Sequence, residues 1–211
     1  MPSSLFSHQA PGLILKLKYP KKLDGTALCI GTIIPDINVM VNPFLPFEFR
    51  NFTHSLLGLL ILVIPLTIFL TILFSKCFGP FLAKMAKKFR PMRYLGIDKF
   101  ENLKKKKFNK KFFIVGIYSA LIGGLTHLLL DLPAHENIEL FFPLILQSPE
   151  ILLYSIIDYG TFSIGQIELD GNIRVYDLIW LIETVVFLII TIYLLRYIKK
   201  QDLINKWYEE I

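Results

Sequence analysis

The hydrophobic positions of this chain fall into three long runs, which polar and basic segments separate. The runs cover 55–74, 112–132 and 178–195, and each has about 18–21 residues, the length at which an α-helix crosses a bilayer. Pro65 interrupts the first run, which a membrane helix tolerates because neighbouring groups can satisfy the freed backbone carbonyl. The pattern predicts three membrane-spanning helices.

A fourth apolar run, 140–157, is broken by Pro143, Gln147, Pro149 and Glu150. We therefore expect a re-entrant or interfacial segment there. The following stretch, 166–175, has Asp170-Gly171 at its centre. Because Asp-Gly favours a tight turn, this stretch predicts a small β-hairpin around that pair.

The N-terminal region predicts two short helices, over 5–17 and over about 24–34, on either side of the basic stretch 18–22. At 1.5 Å per residue each would be about 15–20 Å long, too short to cross a bilayer alone. Such a pair forms a short hairpin, either inserted in the membrane with its basic tip inward or lying on the outer surface.

The charges are distributed unevenly, and this distribution predicts an orientation. Thirteen of the 23 Lys and Arg residues lie between Lys76 and Lys111, whereas 112–195 contains only Arg174 against nine acidic residues. Basic loops stay on the cytoplasmic side of a membrane. We therefore expect a multi-pass protein of the cell membrane, with the basic loop 76–111 and the C-terminus in the cytoplasm and 133–177 outside.

Composition agrees with one all-α polytopic membrane domain over 1–211, with 1–54 as its hairpin and motif region. Hydrophobic residues make up 54% of the chain and charged residues 19%, where a soluble domain carries about a quarter. Two cysteines are too few for a disulfide scaffold. The aromatic residues in the basic loop could contact nucleic acid, but contact with membrane lipid is the favoured interpretation.

The histidines all fall on the predicted outer side of the membrane. His54 precedes the first span, and His127 lies near the outer end of the second, where Asp131 and then His135 follow at intervals of four residues. Residues at i and i+4 share a helix face. His8 lies at the open end of the hairpin. Imidazole and carboxylate groups gathered in this way suit zinc, manganese or iron.

Four motifs carry a resemblance to a known family. They are Ser7-His8, Ile34-Pro35-Asp36, Arg50-Asn51-Phe52-Thr53-His54-Ser55-Leu56-Leu57-Gly58 and Thr126-His127-Leu128-Leu129-Leu130-Asp131. In this order they resemble membrane-bound metal-dependent hydrolases of the YdjM type and a related uncharacterised bacterial and archaeal membrane family, which are distantly similar to zinc-dependent phospholipase C. The sequence departs from the hydrolases at Phe49 and Asn51, where they often have His and Gly.

The resemblance implies a divalent metal, with zinc as the expected ion. The metal ligands that it implies are His8, Asp36, His54, His127 and Asp131. His135, four residues after Asp131, is added as a sixth candidate because of that spacing. Asp36 or Glu136 is the candidate general base, and Arg50 and Arg174 are the candidates for binding an anionic substrate. The expected function is hydrolysis of a lipid or lipid-linked phosphoester at the outer membrane face.

Two other functions stay open at this point. One is a metal-binding structural or transport protein without hydrolytic activity, which the acidic Glu183 inside the third span would suit. The other is a membrane-anchored regulator that uses the basic loop to recruit a partner.

Overall fold

The structure, a computed structural model, describes residues 6–44, 49–164 and 167–209. Its α-helices are Gln9–Lys18, Gly25–Gly31, Asn38–Val41, Arg50–Thr53, Leu56–Gly58, Ile64–Leu73, Gly79–Ala86, Arg90–Tyr94, Lys110–Asp131, Glu150–Leu153, Val175–Lys200 and Leu203–Glu209. Two π-helical turns, Leu59–Val63 and Phe74–Phe78, and four 3-10 helices, Ile34–Ile37, Asn42–Phe44, Ile97–Lys105 and Leu132–Ala134, complete the helical part. The strands are Asn137–Ile138, Leu146–Gln147, Ser155–Ile164 and Ile167–Arg174.

Three continuous helices are long and apolar enough to cross a membrane, as the sequence predicts. They are Leu56–Ala86 (the first span), Lys110–Ala134 (the second span) and Val175–Lys200 (the third span). The predicted all-α class with three long transmembrane helices is therefore confirmed. Gly25–Gly31 and Ile34–Phe44 together would also be long enough, but they bend by 44° at the break between them.

The first span is longer than its hydrophobic run, and the basic stretch 76–111 is largely helical rather than a loop. The helix continues to Ala86 because small residues at Gly79 and Ala83 keep one face buried against Ile97–Lys105. Helix Arg90–Tyr94 and the 3-10 segment Ile97–Lys105 then lead to the second span. Side chains along this stretch therefore contact one another. The Lys87 ammonium, for example, lies 2.7 Å from the Glu101 carboxylate.

Helices Gln9–Lys18 and Gly25–Gly31 form the predicted N-terminal hairpin; the first residue of the predicted 5–17 helix, Leu5, lies outside the described residues. The first hairpin helix packs against the third span, and the second packs against the first and second spans. The hairpin therefore lies between the spans and is not a pair of helices resting on their surface. Asp24 begins the second hairpin helix, because its carboxylate accepts the Ala27 amide at 2.8 Å.

The hairpin approaches the second span closely because glycines lie where they cross. A Cβ atom built on Gly123 would be 2.4 Å from the Leu28 carbonyl oxygen, and one built on Gly31 would be 2.8 Å from the Ala120 oxygen. Gly124 faces the first span, where it meets the end of the Leu59 side chain. Small residues at such crossings bring helices together in membranes, and here they bring the second hairpin helix to the second span.

The described residues between the second and third spans include no helix long enough to span a membrane, as the sequence predicts for 140–157. They fold into short strands, a four-residue helix and a β-hairpin. The predicted turn at Asp170-Gly171 is wrong, because Asp170 pairs with Thr161 and Arg174 pairs with Ser155. The two strands are separated by 165–166, which lie outside the described residues. The longer partner strand, Ser155–Ile164, offers more cross-strand pairs than the four-residue arms of the predicted hairpin.

Candidate metal centre

Four potential metal ligands from three separate parts of the chain meet at one end of the spans. Asp36, His54, His127 and Asp131 each offer one ligand atom, and these four atoms lie within 4.8 Å of one another. Asp36 belongs to the 3-10 turn after the hairpin, His54 ends helix Arg50–Thr53, and the other two are on the second span. Sequence spacing places only the last two together; the other two arrive by folding.

Five of the six distances between these atoms lie between 3.2 and 3.7 Å. His54 Nε2 and His127 Nε2 lie 3.4 Å apart, and Asp131 Oδ2 is 3.2 Å from the first nitrogen and 3.5 Å from the second. Asp36 Oδ1 is 3.7 Å from both nitrogens. Ligand atoms about 2.0–2.1 Å from a tetrahedral ion are about 3.3 Å from each other. The four side chains therefore fit a single divalent ion.

Burial supports this fit. His127 is completely buried and His54 is 5% exposed, so the ring nitrogens that face each other have little water to bind. Asp36 Oδ2 is also buried and has no hydrogen-bond partner among the described residues. Buried polar atoms are usually satisfied, and a cation beside this carboxylate would satisfy it.

Two further histidines surround the four-residue group. His8 Nε2 lies 3.3 Å from Asp131 Oδ1, and its ring centroid is 4.5 Å from that of His127. His135 Nε2 lies 3.3 Å from Asp131 Oδ2. All four histidines of the chain therefore contact Asp131, and every metal-ligand candidate from the sequence lies in or beside one cluster.

Local structure orients His54. Its Nδ1 lies 3.1 Å from the Thr53 hydroxyl, which leaves Nε2 directed at the other ligands. Ser55 then accepts the Gly58 amide at 2.9 Å and begins the first span directly after the histidine. Burial opposes protonation of His54, but the neighbouring Asp131 and Asp36 carboxylates outweigh it and raise the pKa of the imidazole.

Arg50 lies at the edge of the cluster beside a small pocket. Its guanidinium nitrogens are 3.8 Å from Asp131 Oδ2 and 3.4 Å from Glu139 Oε1. The pocket has a volume of about 20 Å³, enough for a water molecule. Its lining includes Arg50, His54, Asp131, His135, Asn137 and Glu139. A small oxygen-bearing group in this pocket would meet both the candidate ligands and a cation.

The other two sequence candidates lie together but away from the four-residue group. Glu136 Oε2 is 3.3 Å from Arg174 Nη1, and half of the Glu136 side chain is exposed. Arg174 begins the third span, where its amide donates to Asp177 at 2.9 Å. The structure therefore pairs the candidate base Glu136 with the candidate anion-binding Arg174.

Sequence reasoning missed Glu139 and Thr53. Glu139 is 8% exposed and balances the Arg50 charge, and Thr53 orients His54. A half-buried arginine favours a nearby carboxylate, so Glu139 could have been sought among the acids that follow the second span. No sequence spacing connects it to Arg50, which lies 89 positions earlier.

Comparison with known proteins gives one match. Residues 1–207 match the family model described as a domain of unknown function, DUF4184. No curated protein and no solved structure matches the chain.

Proposed function

We propose a function for this chain, which belongs to the DUF4184 family: it is a membrane-embedded, metal-dependent hydrolase of lipid or lipid-linked phosphoesters. The observation that carries this proposal is the convergence of Asp36, His54, His127 and Asp131, whose ligand atoms lie within 4.8 Å of one another. Zinc is the ion we favour, because two imidazole nitrogens and two carboxylate oxygens are typical zinc ligands. When bound, such an ion lowers the pKa of a water molecule and polarises a phosphoryl oxygen.

Asp36 is the general base in this proposal. One of its oxygens faces the two histidines, while the buried Oδ2 has no partner among the described residues. That oxygen can take the proton of an attacking water while the other holds its place in the cluster. Glu136 is the weaker candidate, because it is half exposed and pairs with Arg174.

Arg50 is the proposed anion-binding residue. Its guanidinium lines the pocket and keeps about a quarter of its side-chain surface exposed. A guanidinium can bind two phosphate oxygens at once, which fixes their orientation. Glu139 holds the guanidinium in place from its other side.

The position of the cluster supports a lipid substrate. His54 directly precedes the first span, and Asp131 lies in the last turn of the second. The cluster is thus at the end of the spans opposite the basic stretch 76–111, which we assign to the cytoplasmic side. A site at this depth faces lipid headgroups of the outer leaflet.

A metal-binding structural or transport role is the second candidate, and the burial of the ligands favours it. His127 is completely buried and His54 is 5% exposed, so little of the four-residue group is open to a substrate. A structural ion needs no such access.

One experiment separates these candidates. The detergent-purified chain is analysed for bound metal and for phosphate release from phospholipids and polyprenyl phosphoesters, in parallel with His127→Ala and the neighbouring control Thr126→Ala. We expect about one zinc ion per chain and turnover in the wild type and control, and neither in His127→Ala. Metal without turnover would support the second candidate, and a wild-type chain without metal would contradict both.

A further inference from the structure

A second buried charged cluster lies at the tip of the N-terminal hairpin, far from the four-residue group. The ammonium of Lys106 is 2.8 Å from Asp24 Oδ1 and 2.7 Å from Oδ2, and the two side chains are only 3% and 6% exposed. Asp24 is also fixed through its backbone, because its amide donates to the Ser119 hydroxyl at 2.9 Å. The ion pair therefore joins the hairpin tip to the basic stretch and lies beside the second span.

The C-terminal helix, Leu203–Glu209, closes over the same tip. The Tyr208 hydroxyl is 2.9 Å from the Thr26 hydroxyl, and its ring lies 5.0 Å from the Lys106 ammonium. Trp207 covers the ammonium of Lys16 at 4.7 Å, and that ammonium donates to the Pro20 and Leu23 carbonyls within the hairpin turn. Two segments remote in sequence thus hold the hairpin at its tip.

The tip and the open ends of the hairpin carry different groups of residues. The tip carries Asp24, while the open ends lead into His8 and Asp36. The ten-residue helix between the tip and His8 is about 15 Å long, since each residue adds 1.5 Å. This helix transmits a displacement of the tip to His8, and the second hairpin helix, Gly25–Gly31, transmits it toward Asp36 in the 3-10 turn that follows.

A buried ion pair is a weak source of stability, because desolvation offsets most of the attraction between its charges. Its directional contacts can instead fix one arrangement of the elements that it joins. We propose that Asp24, Lys106 and Tyr208 are positioning residues: they lock the hairpin tip so that His8 and Asp36 stay beside His54, His127 and Asp131. This inference rests on the proposed metal-binding function.

The test measures the hairpin and the metal separately. Full-length Lys106→Met and Asp24→Asn chains, and the double variant, are purified in detergent, with exposed Lys107→Met as the matched control. Hydrogen exchange of peptides within 9–31 is followed without metal, zinc affinity is measured by chelator competition, and Tm is recorded. We expect faster exchange in the hairpin and zinc binding weakened about 10- to 100-fold, the range for residues that orient metal ligands; the control should match the wild type.

The double variant distinguishes positioning from general stability. Because it leaves neither member of the Asp24–Lys106 pair as an unpaired buried charge, its Tm should recover toward the wild-type value, while its zinc affinity stays weak and its hairpin still exchanges quickly. Recovery of zinc affinity together with Tm would overturn the inference, as would unchanged hairpin exchange in both variants. If the wild type bound no zinc, the proposed function would fail, while hairpin exchange in the metal-free chain would still decide whether the tip is locked.

Discussion

At the scale of single residues, Asp131 organises the candidate metal centre. Its two oxygens lie 3.2–3.5 Å from the Nε2 atoms of all four histidines, and Arg50 approaches at 3.8 Å. A carboxylate that faces so many nitrogens cannot be replaced by an amide without loss, because an amide nitrogen repels cationic or metal-bound imidazole. Among its neighbours, Arg50 lines the pocket without belonging to the four-residue group.

Arg50 should affect substrate binding without affecting the metal. Arg50→Gln removes the charge beside the pocket, and we expect kcat/KM on a phosphoester to fall about 100-fold, since each hydrogen bond to a charged group contributes about 1.5–3 kcal/mol. Arg50→Lys keeps the positive charge but cannot bind two phosphate oxygens at once, so its kcat/KM should fall less. Steady-state kinetics and zinc content measure both effects, with Arg174→Gln as the control. Loss of zinc from Arg50→Gln would contradict this assignment.

Lys16 predicts a pH dependence of stability. Burial is the largest influence and lowers its pKa to about 8 from an ordinary value of 10.5. Between these values the unfolded chain binds more protons than the folded chain, so the free energy of unfolding rises with pH. From pH 8 to pH 9 the gain is about 1 kcal/mol.

Thermal unfolding at the two pH values checks this prediction. The wild type should gain about 2–4 °C in Tm from pH 8 to pH 9, and Lys16→Met, which keeps an apolar stem beside Trp207, should lack this increment. Other groups that titrate in this range are common to both chains and cancel in the comparison. Equal increments in the two proteins would show that Lys16 is not the titrating group.

At the scale of elements, the crossing between the hairpin and the second span determines whether the centre can assemble. This crossing depends on contact between backbones, because the Leu28 carbonyl lies where a Gly123 side chain would be. Backbone cannot move aside as a side chain tip can. A methyl group at this position must therefore push the hairpin away from the span.

Gly123→Ala should destabilise the protein by about 1–3 kcal/mol, the range for overpacked cores. Gly116→Ala is the matched control on the same span, because its Cβ would meet only the flexible end of Ile68, at 2.8 Å. The control should change stability by less than about 1 kcal/mol, helped by the better helix propensity of alanine. Thermal unfolding in detergent compares them, and equal losses would show that the crossing is not a close backbone contact.

At the scale of the whole molecule, the spans separate a basic end from an end that carries the histidines. We predict that the basic end faces the cytoplasm, because lysine-rich segments resist translocation. Single cysteines at Asn102→Cys and Asn172→Cys, in a background without Cys29 and Cys77, test this orientation with an impermeant maleimide on intact cells. Only Asn172→Cys should react; labelling of Asn102→Cys from outside would reverse the orientation and place the centre in the cytoplasm.

Patterns within the sequence were sufficient for the spans, the hairpin and the His127–Asp131 pair. Apolar runs of about 20 residues have few alternatives to a membrane helix, and residues four apart on a helix must share a face. The Asp170-Gly171 turn was predicted wrongly because a local turn preference competes with the pairing of a whole strand. The helical structure of 76–111 was missed because its many charged residues suggest a solvated loop. The small residues Gly79 and Ala83, which pack inside the molecule, form only a weak hydrophobic pattern.

The sequence by itself determined the three spans, the two hairpin helices and which residues offer nitrogen and oxygen ligands. Only the tertiary structure decided that His8, Asp36 and His54 meet the second span, that Glu139 balances Arg50, and that Glu136 pairs with Arg174 instead. The physical reason is range: helical and hydrophobic periodicity acts over a few residues, whereas these contacts join segments up to about 120 positions apart. Glycines at the helix crossing let the second hairpin helix, which leads to Asp36, pack directly against the second span.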